Sequence, residues 1–597
     1  MSVPAKRWRL RSAPDPSLVA ALTHARSPHA LATLLAQRGI RTPEEAKVFY
    51  RPSLHHLHDP FLMKDMGRAV ERLERALGEK EPIMVYGDYD VDGTTSVALV
   101  YGMLSRFATR ITHYVPDRYA EGYGISTLGI DRASAQGVKL IIALDCGVKA
   151  VEKVAYAKEK GIDFIICDHH LPGGKLPDAV AVLDPKRSDC TYPYKELSGC
   201  GIGFKLLQAF AQRNDIPFSE VEAGLDLVAT SIACDIVPLD GENRTLAHFG
   251  LKLLNGGMKR PGIQALLDLS MGSKPLASQP KPLSIMDLVF VLGPRINAAG
   301  RIEHGQQAVE LLLAKTSNEA GNIAKRVDGN NATRQGLDKA ITEQALGLFG
   351  SDAFLKHAWS TVVFNKEWHK GVVGIVASRL IEQHYRPTIV LTENNGKVAG
   401  SARSVKGFNI HDAIAACADL LEQYGGHMYA AGLTMKPENV QAFRDKFEGV
   451  VRETLPAALR IPEEEVDLEI NLDEVQPAFV RGMEGMAPFG PANMRPVFLT
   501  RGVVARDPRI IGSTGDHLKF RITDPRNPQV DLDAIAFKQG GKLELLRSGQ
   551  PFSLLYTVEE NHFNGRTTLQ LNVKDMKPGV EHVLEPDAAA QPETATT

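Results

Sequence analysis

Between residues 80 and 240 the sequence repeats one pattern: a short run that is apolar throughout, then a stretch with helical spacing. "PIMVYGD", "ITHYVPD", "KLIIALDCG", "DFIICDHH" and "AVAVLDP" are the apolar runs; "TTSVALVYGMLSRF", "VEKVAYAKEKG" and "GIGFKLLQAFAQR" are the helical ones. A strand with one face in water alternates apolar and polar residues. These runs do not alternate, which predicts parallel strands covered on both sides. Strand–helix alternation then predicts a doubly wound α/β domain. Open parallel sheets bind ligands beyond the carboxyl ends of their strands. There the sequence places Asp88, Asp90, Asp92, Asp145, Asp168, His169 and His170, and Asp235 in "ACDIVPL" reads as a further strand end.

Like charges at alternate positions repel, so something must offset Asp88, Asp90 and Asp92. Hard divalent cations take oxygen ligands, and imidazole admits manganese as well as magnesium. Two ions about 3.5–4 Å apart need a bridging carboxylate and several terminal ligands, and this set supplies both. The reading is a centre for two divalent ions, Mn²⁺ or Mg²⁺, acting on a phosphodiester. For each acid taken singly the competing reading is a helix cap or dipole partner, strongest for Asp168. His170 either positions or protonates the reacting phosphodiester, or orients a ligand by a hydrogen bond. Gly87 and Gly93 predict that the first segment curls into a loop, which makes its three acids inequivalent.

The remaining chain divides by pattern. The expected organisation is an N-terminal segment at 1–50, the α/β domain at 51–265, a helical connector at 266–350, a second α/β lobe at 351–460, a β-rich domain at 461–580 and a disordered tail at 581–597. The connector's "GQQAVELLLAKTSNEAGNIAKRVDGNNATRQGLDKAITEQALGLF" fits one long helix or two joined ones. The β-rich part has close to the strand count of an OB-fold barrel, which is favoured over a plain sandwich. A net charge of -2 gives no global sign of nucleic acid, so any DNA surface must be a local basic channel. Six cysteines with no CxxC pair argue against a zinc ribbon, do not indicate a disulfide scaffold and fit a reducing cytoplasm. The basic N-terminus lacks the apolar core of a secretory signal, and no run approaches the roughly 20 apolar residues of a membrane span.

Several residues suit a nucleic-acid strand. "LGPRINAAGRIEHG", read as turn-rich, offers Arg295, Asn297 and Arg301; guanidinium groups grip phosphates, and the alternative for one arginine is a salt bridge at the joint between lobes. Arg118 and Tyr123 fall in a loop near the strand ends, where the tyrosine either stacks on a base or fills core. In the second lobe "GSARS", read as a tight glycine turn, gives Ser401 and Arg403; "EWHKGVVG" gives His369 and Gly371, and "YGGHMYAAG" gives Gly425, Gly426 and His427. The β-rich domain contributes Arg501, His517, Lys519, Arg521, Phe537, Lys538, Phe563 and Arg566, basic groups interleaved with aromatics.

"GDYDVDGTTS", "LDCG" and "CDHH", followed in order by "DIVPL", "GPRINAAGR", "HKGVVGIVASRL" and "GGHMYAAG", resemble the DHH phosphoesterase superfamily. Over residues 50 to 580 the set is most similar to its bacterial single-strand-specific exonuclease branch, built from DHH, DHHA1 and OB-fold domains. The resemblance implies 5′→3′ degradation of single-stranded DNA in recombination and repair, dependent on Mg²⁺ or Mn²⁺. Carried over by position, it implies Asp90, Asp92, Asp145, His169 and Asp235 as metal ligands, Asp145 bridging, with Asp88 supporting or ligating. It also implies that Ser401 and Arg403 recognise a 5′ phosphate, and that single-strand binding protein and a RecQ-type helicase are partners; a monomer is expected. Family II pyrophosphatases carry a histidine upstream in the first motif, where this chain has Tyr86 and Asp88. The rivals are a DHH phosphatase of short oligonucleotides or cyclic dinucleotides, which needs no β-rich domain, and a non-catalytic single-strand-binding scaffold, which needs no metal ligands. A cleft between the lobes too narrow for duplex is the expected source of single-strand preference.

Overall fold

The computed structural model describes residues 6–23, 28–257, 259–271, 282–513, 515–563 and 566–579; the tail at 581–597 lies outside them. The chain forms two compact units. One is Arg38–Ala332 with Met483–Arg495, and the other is Met1–Gln37, Thr333–Gly482 and Pro496–Thr597.

The first unit holds a parallel sheet of β1 (Ile83–Gly87), β2 (Ile111–Tyr114), β3 (Leu140–Leu144), β4 (Asp163–Cys167) and β5 (Ala181–Leu183) in the order β2-β1-β3-β4-β5. β1 and β3 are buried along their whole length, as uniformly apolar strands must be. Successive side chains leave a strand on opposite faces. Ile83, Val85, Leu140 and Ile142 therefore enter one core and Met84, Tyr86, Ile141 and Ala143 another. The chain runs from β1 to β2 and then returns to the other side of β1 to lay down β3. The crevice at such a switch point, beyond the carboxyl ends of β1 and β3, is where a doubly wound sheet binds its ligand.

Helix α1 (Val91–Leu104) begins three residues after β1 and is buried on nearly every side, so it is the central helix of the unit. It packs against α2 (Gly199–Arg213) and α3 (Leu225–Cys234). Two expectations change here. The acidic segment leaves β1 through a bend only at Asp88, Tyr89 and Asp90: the helix starts at Val91 and takes in Asp92 and Gly93. Asp235 is not at a strand end but caps the C-terminus of α3, because "SIAC" continues a helical apolar stripe that a short window cannot distinguish from a strand. The "GPRINAAGRI" segment is likewise a helix, Gly293–Ile302, with proline in its first turn. The connector stretch is two helices, Gln306–Leu313 and the 35-residue α4 (Ser317–Ser351).

In the second unit, β6 (Thr361–Phe364), β7 (Thr388–Asn394), β8 (Lys397–Arg403), β9 (Gln423–His427) and β10 (Ala430–Met435) form a mixed sheet ordered β9-β10-β8-β7-β6. "GSARS" is not a tight turn: Gly400, Ser401 and Arg403 lie in β8, and the turn is Asn395–Gly396, both residues with positive φ. The β-rich part is a closed five-stranded barrel of β11 (Phe498–Ile511), β12 (His517–Asp524), β13 (Asn527–Ala536), β14 (Phe552–Phe563) and β15 (Arg566–Pro578). Antiparallel β11–β12–β13, the parallel β13–β15 pair and closure of β14 on β11 give the OB-fold order. A strand at Arg7–Leu10 pairs in parallel with Glu463–Val466 and sets Arg7, Arg9 and Arg11 against Glu463 and Glu465. Its Trp8 is buried and donates to Asp575 over 2.8 Å.

Candidate metal centre

The first unit gathers the acids and histidines at its switch point. His169 Nε2 lies 3.2 Å from Asp145 Oδ1, 3.5 Å from Asp235 Oδ2 and 3.8 Å from Asp92 Oδ2. Two overlapping groups have metal-ligand spacing: Asp145, His169 and His170, and Asp92, His169 and Asp235. Asp88 and Asp90 fall in neither. Asp88 is fully buried and takes the Gly124 N–H on Oδ1 at 3.2 Å. Asp90 caps α1, accepting the Gly93 N–H at 3.0 Å, so the capping role and a ligand role fall on the same side chain.

Whether cations fit can be tested on unsatisfied atoms. Buried polar atoms find partners in folded proteins. Asp145 Oδ1, Asp88 Oδ2 and both ring nitrogens of His169 are buried without a hydrogen-bond partner among the described residues. Burial, and then the neighbouring carboxylates Asp92 and Asp90, hold Asp145 well above the usual carboxylate range. Burial and Asp90 do the same to Asp88, and burial and Asp92 lift Asp90. Asp235 is pushed up to about 9 by burial, then by Asp92 and Asp90. His169 is pushed down, chiefly by burial, and a neutral imidazole is the form that ligates. Oxygen donors that ionise only against opposing charge, around a neutral histidine, suit Mn²⁺ or Mg²⁺.

Surrounding groups hold these ligands. Asp92 Oδ2 accepts the Gly199 N–H at 2.6 Å, and its Oδ1 accepts the Cys200 N–H and Ser231 hydroxyl, each at 2.7 Å. The carboxylate thus sits on the N-terminus of α2, where the helix dipole favours negative charge. Gly199 is required there: a Cβ would lie 2.6 Å from Asp145 Cβ and 2.9 Å from its Cα. Asp145 adopts φ 58°, a left-handed conformation. The "SGCGIGF" segment gave no chemical signal in the sequence; its only mark was small residues behind a capping serine.

Asp168 is not aimed at a metal. It accepts the N–H groups of Val148, His169 and His170 and binds His170 Nδ1 at 2.8 Å. Burial would raise it, but the hydrogen bond and charge of His170 leave it lowered. Burial likewise opposes protonation of His170, and the Asp168 bond and charge outweigh it, raising that histidine. Tyr123 closes the other side: its hydroxyl lies 3.2 Å from His170 Nε2 and donates to the Asp145 carbonyl at 3.2 Å. The ring is exposed and its hydroxyl is engaged, so the tyrosine is not core. Arg118 stacks over the Tyr89 ring at 4.8 Å.

Arg295 pairs with Asp328 at 2.8 Å and donates to Val291 O, so it is a structural ion pair inside this unit and not a joint between lobes. Asn297 and Arg301 are one turn apart on the same helix. Gly300 sets that helix against the acidic turn after β1, since a Cβ there would lie 2.9 Å from Tyr89 O. Beyond β5, Asp184 is fully buried; Oδ1 accepts the Lys186 N–H at 2.7 Å and Oδ2 has no partner among the described residues. Burial pushes it up to about 7.

In the second unit, Arg403 donates to Ser401 Oγ at 3.1 Å from the same face of β8. Both reach the first turn of helix Val373–Gln383, where a Cβ on Gly374 would lie 2.9 Å from Ser401 Oγ and 3.1 Å from Arg403 Nη2. A guanidinium, a hydroxyl and a helix N-terminus are together the kinds of group that suit an anion. His369 Nδ1 accepts the Gly371 N–H at 3.1 Å, and His427 is exposed on the edge strand β9. On the barrel, His517, Lys519 and Arg521 share β12, and the exposed Phe537 meets His517 edge-on at 5.3 Å. The side chains of Phe563 and Arg566 lie outside those described. All six cysteines are unpaired, and no described helix is long and apolar enough to cross a membrane.

Comparison with known proteins agrees with this geometry. Residues 82–232 match the DHH family N-terminal domain, 357–453 the DHHA1 domain and 466–575 the RecJ OB domain. The single-stranded-DNA-specific exonuclease RecJ of Bacillus subtilis is 38% identical over 95% of this chain and 70% of its own. That of Salmonella typhimurium is 35% identical over 92% and 96% respectively. The crystal structure of RecJ in complex with Mn²⁺ from Thermus thermophilus superposes with a TM-score of 0.82 at 27% identity, covering 97% of this chain and 80% of that one. With identity of this extent over nearly the full length, the chain belongs to the RecJ family of single-stranded-DNA-specific exonucleases.

Proposed function

We propose that this protein hydrolyses single-stranded DNA from the 5′ end, and that Asp90, Asp92, Asp145, His169 and Asp235 are the residues that would hold two divalent cations, with Asp88 in support. The observation that carries the reading is His169 Nε2 facing Asp145, Asp235 and Asp92 within 3.2–3.8 Å, with its own nitrogens and Asp145 Oδ1 otherwise unpartnered among the described residues. Divalent cations at such a set neutralise the phosphodiester anion and lower the pKa of water.

The chain's own groups do the rest. His170, held at Nδ1 by Asp168 and at Nε2 by Tyr123, has a fixed ring. On binding, a phosphate oxygen or the departing oxygen takes the place of the tyrosine hydroxyl at Nε2. Arg118, Asn297 and Arg301 hold the strand, and the barrel binds its continuation. The Ser401–Arg403 site takes the terminal phosphate and so sets polarity. His369 and His427 flank the nucleotide in the same unit. In this reading the enzyme is a cytoplasmic monomer that takes its strand from single-strand binding protein and a RecQ-type helicase during recombination and repair.

The test is digestion of single strands blocked at the 5′ or the 3′ end, with and without Mn²⁺. Loss of activity on 5′-blocked strands alone is expected; loss on 3′-blocked strands alone would reverse the polarity. Asp145→Asn should abolish cleavage and retain strand binding, and an unchanged rate would overturn the ligand assignment.

A further inference from the structure

Ile236 directly follows the metal-site residue Asp235. Its φ is 62° and its side chain is 64% exposed. The left-handed conformation just past a helix end is ordinarily filled by glycine, and a β-branched residue is strained there. The strain is imposed from both sides. Asp235 N–H closes α3 on Ser231 O at 2.9 Å, and Leu239 N–H is fastened to Pro491 O at 2.7 Å. Those anchors explain the backbone conformation. They do not explain an isoleucine, since glycine would take the same path without strain and the exposed side chain gains little from packing.

A second residue repeats the placement. Leu171 directly follows His170 and is 62% exposed. The two segments meet where His169 Nε2 and Asp235 Oδ2 are 3.5 Å apart. On the same rim the ring of Tyr123, 54% exposed, meets His170 edge-on at 5.9 Å. The acidic centre thus has a largely exposed branched apolar residue directly following two of its members, His170 and Asp235. Exposed apolar groups clustered at a site mark a surface for a ligand. A nucleotide's phosphate belongs at the charged centre, and its sugar and base present apolar faces beside that phosphate.

We propose that Leu171 and Ile236 form an apolar clamp on the nucleoside attached to the phosphate at the metal centre. The inference rests on the phosphodiesterase reading of that centre and adds the residues that grip its substrate.

The test compares equilibrium binding of thymidine 5′-monophosphate and inorganic phosphate to the full chain in saturating Mn²⁺. Leu171→Ala/Ile236→Thr should weaken the mononucleotide about tenfold and leave phosphate unchanged, since trimming an apolar group that touches a ligand changes its binding by a factor of that order. Ile236→Gly should weaken the mononucleotide while raising Tm, because it releases the backbone strain. Equal binding of mononucleotide by wild type and double variant overturns the clamp. A loss of Mn²⁺ affinity in Ile236→Gly also overturns it, by showing that the side chain serves only to fix Asp235. Wild-type protein that binds the mononucleotide through these residues yet fails to degrade single strands would sink the exonuclease reading and leave the clamp standing.

Discussion

Gly199→Ala is a one-carbon change that tests how the metal centre is assembled. The new Cβ would lie 2.6 Å from Asp145 Cβ and 2.9 Å from Asp145 Cα, closer than non-bonded carbons approach. A backbone atom cannot swing aside as a side-chain tip can, so either Asp145 or the start of α2 must move. Overpacking of this kind costs about 1–3 kcal/mol. The same residue's N–H binds Asp92 Oδ2 at 2.6 Å, so a shift of the helix pulls on a second ligand. If half or more of the strain is relieved by displacing these carboxylates, Mn²⁺ affinity falls by about 2- to 150-fold. Calorimetric titration of the metal-free protein with Mn²⁺ measures this, and thermal unfolding with and without Mn²⁺ checks that the fold survives. The increase in Tm on adding metal should shrink in the variant. Wild-type Mn²⁺ affinity in a folded Gly199→Ala protein would refute the packing argument.

Four further outcomes follow from other parts of the molecule. The Asp184 carboxyl, raised to about 7 by burial, stabilises the fold fully below its unfolded pKa near 3.9, and that stability is lost as pH rises through 7; in saturating Mn²⁺, Asp184→Asn should flatten the pH dependence of unfolding free energy over this interval, by at most about 4 kcal/mol in denaturant titration. Arg403→Ala should reduce the preference for 5′-phosphorylated over 5′-hydroxyl strands by about 10- to 100-fold in competitive digestion, the loss of one charge-assisted hydrogen bond. Trp8→Ala should destabilise the barrel-containing unit by about 3–5 kcal/mol in denaturant titration, since Trp8 packs on Val466, Leu499 and Leu555 and donates to Asp575. Gly329→Ala and Gly336→Ala lie on the exposed side of α4 with nothing within 4 Å of the added carbon, and each should stabilise by about 0.8–1 kcal/mol, read from Tm.

The sheet of the first unit was legible because β1 and β3 carry no charged residue, and such a run has few places to go. The candidate ligands at its strand ends followed from topology. Asp235 was grouped with the other acids, beside which the structure places it, but was put on the wrong element, because a helix buried on all sides and a buried strand look alike over five residues. The glycines of "GSARS" misled in the opposite direction: Gly400 sits in a strand because a Cβ would strike Leu391, not because the chain turns. What stayed hidden was the support. Ser231, Gly199 and Cys200 reach Asp92 from more than 100 residues away in sequence, and their role depends on tertiary approach that no local pattern encodes. The Arg295–Asp328 pair was similarly indistinguishable from a phosphate-binding arginine until its partner was seen.

Asp145 has a backbone that limits its own replacement. At φ 58° a longer or branched side chain is disfavoured, while aspartate, asparagine and glycine are accepted. A residue at this position is therefore filtered twice, by charge and by dihedral angle. Glutamate, able to bind the same ions, would have to bear the strain. Sequences that drift away from catalysis on this scaffold have asparagine and glycine as their least strained exits at this position. A relative carrying either one should keep a native fold and have lost its metal.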